Sequence, residues 1–116
     1  MNKITNAIIA TGVLALASCG TVDITKTGSG YYDPVPASTV EIIKTKPERS
    51  YVELATIDVG GFSPRDTAKM HNAIRSKAGP VGANAVLITD EGVVYQPYVG
   101  TVKYVSGVAI RYNKGR

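Results

Sequence analysis

The chain has 116 residues, with 13 Lys and Arg against 9 Asp and Glu for a formal net charge of +4, which leaves room for one small domain around a single core. Its positive residues are scattered rather than gathered into a stripe, so nothing marks a nucleic-acid surface. A single cysteine, Cys19, and a single histidine, His71, exclude an internal disulfide and a cysteine-based metal cluster.

Lys3 is the only charge ahead of Cys19, and residues 7–17 form an apolar run with Ile8, Ile9, Val13, Leu14 and Leu16. A basic start, about ten apolar residues and a small-residue exit make the pattern of a secretory signal. The run is short of the roughly 20 residues needed to cross a bilayer. The exit Leu16-Ala17-Ser18-Cys19 resembles a bacterial lipobox. That resemblance implies cleavage before Cys19, a diacylglyceryl group on its thiol and an acyl chain on the freed amine. Gly20 stands where an Asp commonly signals retention in the inner membrane. The implied address is therefore the outer membrane, or the outer face of the plasma membrane in a Gram-positive cell. Two or three chains on one residue make attachment effectively permanent. Residues 1–18 are thus expected to be a signal peptide. Residues 19–38, rich in Gly, Pro, Ser and Thr, read as the lipidated cysteine and a flexible tether. Residues 39–116 are expected to form one small α/β domain.

Within that domain, residues 39–45 read as a short strand stopped at Lys46-Pro47. Residues 51–59 alternate, with apolar side chains at both parities, and predict a central strand ended by Gly60-Gly61. Ser63 suits an N-cap, Pro64 the first helical position, and Asp66 completes a start like a capping box. Met70, Ile74 and Ala78 then mark the apolar stripe of a helix over residues 64–78, closed by Gly79-Pro80. A buried strand follows over residues 83–89, then a turn at Asp90-Glu91-Gly92. Val93-Val94-Tyr95 and residues 99–102 bracket Gln96-Pro97-Tyr98, where Pro97 argues for an edge or a break. The last strand spans residues 103–112. The order predicts an α+β fold: a mixed sheet of four or five strands with one helix on a face, joined by a strand-helix-strand crossover.

Candidate chemistry is sparse. His71 sits beside the Met70 stripe with no serine, carboxylate or metal motif to partner it, so no catalytic residue is assigned. Asp90 and Glu91 are an incomplete ligand set for a hard cation, so neither a metal nor a cofactor is expected. Gly79-Pro80-Val81-Gly82 follows a helix rather than opening one, and so reads as a helix stop, not a phosphate cradle. Asn84 beside it suits either a bond to turn backbone or a left-handed conformation. Tyr95, Tyr98 and Tyr104 are candidate partner-binding anchors, although strands also favour tyrosine.

Met70, Ala73 and Ala78, with the run Gly82-Ala83-Asn84-Ala85-Val86-Leu87-Ile88, resemble the helix-to-strand signature of several small bacterial envelope families. These include the stress-sensing outer-membrane lipoprotein of the Rcs phosphorelay and the YbjQ-type domain, named for heavy-metal binding. Lys46-Pro47 and the closing Gly107-Val108-Ala109-Ile110-Arg111-Tyr112 fit that group. The resemblance spans residues 40–112 and implies a small envelope α/β domain. The Rcs sensor's disulfides have no counterpart here, and no metal site carries over. The resulting expectation is a lipid-anchored, non-enzymatic binding or scaffolding module. Its partners would be the membrane, through Cys19, and an envelope protein or the cell wall, with no nucleic acid. The alternative is a small-ligand or metal-responsive envelope stress sensor.

Overall fold

Alternation over residues 55–59 sets the two faces of the fold. In a computed structural model describing residues 20–113, Ala55, Ile57 and Val59 are buried while Thr56 and Asp58 between them are exposed. The buried row faces helix α1 (Thr67–Ala78), whose Met70, Ile74 and Ala78 are all at most 1% exposed. Five strands make the sheet: β1 (Thr21–Lys26), β2 (Glu41–Ile43), β3 (Tyr51–Phe62), β4 (Ala85–Gln96) and β5 (Gly100–Tyr112). Their order is β1-β3-β5-β4-β2. Only the β2–β4 pair is parallel. Among the described residues the fold is α+β, with a mixed sheet and one α-helix on a face. The crossover through α1 joins β3 to β4, which run parallel with β5 inserted between them.

Ser63 starts the helical segment, accepting from the Arg65 N–H at 3.3 Å. Its first turn, Pro64–Asp66, is a 3-10 turn, and Asp66 makes no side-chain cap. Arg75, on the flank of α1, turns inward far enough to donate from Nε to the Val40 carbonyl at 3.0 Å. The core beneath combines Val40, Leu54, Ile57, Met70, Ile74 and Val86 with small residues such as Ala78, Ala83 and Ala109.

Three expectations need correction. Residues 21–26, expected in a tether, are strand β1, paired antiparallel with β3 from Thr21↔Gly60 to Lys26↔Ala55. Val22 and Ile24 pack against the core while Thr21, Asp23 and Thr25 face out, a period-2 pattern of only two apolar residues. Gly60-Gly61 does not end β3. The strand runs on to Phe62 through an irregularity at which Gly61 has φ +82. Asp90-Glu91-Gly92 is not a turn but the middle of β4, paired with Ser106, Val105 and Tyr104. Glycine serves there because the Tyr104 ring occupies the space a side chain would take, 2.6 Å from the would-be Cβ.

Candidate functional site

Four places can be weighed, beginning with the helix exit. Gly82 has φ +87, a conformation glycine adopts without strain, and a Cβ there would lie 2.9 Å from the Asp33 carbonyl. Asn84 takes neither of the two alternatives read for it: it is not left-handed, and its Oδ1 accepts not from turn backbone but from the Tyr112 N–H of β5 at 2.8 Å. Its own backbone N–H donates to Ile110 O and its carbonyl accepts from the Glu41 N–H. One residue thus fixes the register of β2, β4 and β5. The Gly-Ala-Asn-Ala segment does structural work.

His71 lies half-buried on α1. Burial lowers its pKa below the ordinary value, and the Arg75, Lys103 and Lys44 charges push the same way against Glu91. A surplus of cations opposes both protonation and a bound metal cation. Glu91 receives Lys44 Nζ at 2.8 Å and Lys103 Nζ at 3.6 Å. The Lys44 hydrogen bond holds its carboxyl below the usual range. Asp90, next along β4, points to the opposite face because strand side chains alternate. The two carboxylates diverge and cannot share an ion. No group of three or more metal-binding side chains occurs among the described residues.

A cleft of about 390 Å³ opens at the end of the sheet where β5 finishes, lined by Glu41, Arg49, Asn84, Arg111 and Tyr112 among others. Both arginines are already engaged. Arg49 stacks on the Tyr112 ring at 4.1 Å and Arg111 on Tyr32 at 4.9 Å. Arg111 Nη1 also donates to the Gly82 carbonyl at 2.7 Å. The Arg111 contacts tie the Tyr32 segment to the sheet, while stacking on a ring face does not use the in-plane N–H donors of Arg49.

The fourth place is the far end of the β4–β5 hairpin. Strand β3 stops at Phe62, opposite Lys103. Beyond that rung β4 and β5 pair only with each other, from Val94↔Val102 to Gln96↔Gly100. The arm projects by about 12 Å at the strand rise per residue. A turn closes it, the Val99 N–H donating to the Gln96 carbonyl at 3.1 Å. Tyr98 sits in this turn with φ +70, the only positive φ at a non-glycine residue among the described residues. Val93, Val94, Tyr95 and Val99 are exposed along the arm, and Tyr98 is exposed completely (106%). The start of the described chain lies beside this arm: Gly20 and Lys69 line one cleft of about 210 Å³ with Thr101, Val102 and the turn residue Val99.

Of the residues singled out in the sequence, Cys19 and the signal peptide lie outside the described residues. Tyr95 and Tyr98 do fall together on the arm. Tyr104 does not join them. It pairs with Gly92 whereas Tyr95 pairs with Thr101, which places the two rings on opposite faces of the hairpin. Val93, Val94 and Val99 were not anticipated as surface residues. The available signal was the absence of charge in residues 92–102.

No family model matches the chain, and no curated protein does. Its fold is similar to that of the crystal structure of FvfA, a Francisella virulence factor, at 11% identity and a TM-score of 0.56. The match covers 78% of this chain and 97% of that one, and at this identity it speaks for the fold alone.

Proposed function

We propose that the chain is a lipid-anchored envelope protein of the outer membrane that works as a non-enzymatic binding or scaffolding module. The exit Leu16-Ala17-Ser18-Cys19 supplies the anchor. The observation that carries the rest is the distribution of its surface: exposed apolar side chains concentrate on one projecting arm. Polar groups do line the open cleft at the end of the sheet, but the one histidine is not among them, and no group of three or more metal-binding side chains occurs among the described residues. His71 faces cations, and Asp90 and Glu91 point to opposite faces of β4. A catalytic or ligand-sensing site asks for convergence, whereas a binding module asks for an exposed apolar surface.

Cell fractionation with crosslinking tests this reading. The wild-type chain should band with the outer membrane, and Cys19→Ala should move to the soluble envelope fraction. Chemical crosslinking in cells should trap the same adduct for wild type and for His71→Ala. Retention of Cys19→Ala with membranes, or loss of the adduct in His71→Ala, would contradict it.

A further inference from the structure

The fold uses the hairpin arm only where it joins the domain, through the buried Val102. Residues 92–102 carry no charge in a chain where charged residues make up 19%. Exposed strands in water normally bear charges that discourage association. Apolar side chains emerge on every side of this arm. Regular pairing from Glu91 to Gln96 sets Val93 and Tyr95 on one face and Val94 on the other, with Tyr98 and Val99 at the end. Tyr98 holds a left-handed backbone that asparagine or glycine would adopt more easily, and the result is a phenol ring wholly in the open. A strained conformation that exposes a large side chain points to function rather than folding.

The chain's own connectivity says what the arm meets. Gly20 shares a cleft with Val99, Thr101 and Lys69, and in the sequence Gly20 directly follows Cys19. Strand β1 begins at Thr21 and is fixed to β3 at once, so no free tether separates the cysteine from the domain. We infer that the β4–β5 arm dips into the headgroup layer of the bilayer that holds the lipids of Cys19, with Tyr98 and Tyr95 as interfacial anchors. This rests on the lipid-anchor reading above. A bilayer suits the arm better than a protein groove because the exposed side chains surround it instead of forming one face. Tyrosine favours the membrane–water boundary, and the ammonium of Lys69 at the base of the arm suits phosphate headgroups. The domain would then stand with this end down and the Arg49–Arg111 end away from the membrane.

The chain contains no tryptophan, so one introduced residue reports alone. The full lipidated chain carrying Tyr98→Trp is reconstituted into vesicles of phosphatidylethanolamine and phosphatidylglycerol, with or without lipid brominated high on its acyl chains. Tyr31→Trp is the control: Tyr31 is exposed and follows β1 at the opposite end of the sheet, where the Gly28 N–H meets Leu54 O. Both substitutions exchange one exposed aromatic for another. The expected result is a blue-shifted emission for Tyr98→Trp that brominated lipid largely abolishes, and an unshifted, unquenched emission for Tyr31→Trp. Vesicle-bound protein with Tyr98→Trp unquenched would overturn the inference while leaving the anchor intact. Equal quenching of both would mean a domain lying flat, and would also overturn it. A shift that grows with protein-to-lipid ratio in unbrominated vesicles would assign the arm to a second copy instead. Failure of the wild-type chain to float with vesicles would remove the anchor reading itself.

Discussion

Replacing Tyr98 with asparagine should make the unanchored domain more stable. The turn is closed by the bond from the Val99 N–H to the Gln96 carbonyl, with Pro97 in its second position and Tyr98, at φ +70, in its third. Proline followed by a positive φ is the pattern of a type II turn, whose third position calls for Gly or Asn. An ordinary L-residue there costs about 1–2 kcal/mol. Because the Tyr98 side chain is fully exposed, its removal forfeits no packing. Asparagine recovers part of the cost, so Tyr98→Asn should gain about 0.5–1 kcal/mol. Glycine recovers more but loosens the unfolded chain by about 0.5–1 kcal/mol, so Tyr98→Gly should be stabilising by less than asparagine or neutral. Thermal melts of the unlipidated Cys19→Ala chain, with and without Tyr98→Asn, would register a rise of about 2–8 °C for a domain of this size. A fall in melting temperature would mean that the ring makes a stabilising contact. It would refute the view that Tyr98 is kept for something other than stability.

Ile74 is fully buried between α1 and the sheet, and Ile74→Ala should cost about 2–5 kcal/mol. A urea midpoint unchanged within error would contradict that packing. Acidification should weaken the fold in two steps. Burial, then Arg75, Lys103 and Lys44, depress the folded pKa of His71 against the opposing pull of Glu91. The unfolded chain therefore takes up this proton more readily, and stability falls as pH drops through the ordinary value near 6.5. The Glu91 carboxyl is lowered first by its Lys44 hydrogen bond. Its contribution is present above the ordinary value near 4.5 and is lost as pH falls through the folded value. Urea midpoints from about pH 8 down to about pH 3 should show His71→Gln removing the upper step and leaving the lower. A wild-type and variant difference that does not change with pH would exclude the linkage.

The helix was legible because its signals are local. Ser63-Pro64 opens it, Gly79-Pro80 closes it, and Met70, Ile74 and Ala78 recur at its period. Strand β1 was not, since Val22 and Ile24 stand alone among Thr, Asp and Gly and are strand only through pairing with β3. The turn of the last hairpin was misplaced for a similar reason. Asp90-Glu91-Gly92 has turn composition, but Lys44 and Lys103 hold Glu91 and the Tyr104 ring covers Gly92, which suits an extended strand. The true turn carries a tyrosine at a position that calls for glycine or asparagine. Tyr95 and Tyr98 could be picked out by residue type, whereas the exposure of Val93, Val94 and Val99 depends on where β3 stops. That Gly20 and Val99 line one cleft follows from the order β1-β3-β5, a non-local arrangement that no local pattern encodes.

The most direct measurement is the mass of the N-terminal peptide of the membrane-extracted protein. Trypsin cuts after Lys26, so the peptide of interest is residues 19–26. Lipid anchorage predicts that this peptide begins at Cys19, carries a diacylglyceryl thioether and bears an acyl group on its amine. A membrane-bound protein whose peptide still extends ahead of Cys19, or whose Cys19 thiol is free, would contradict it.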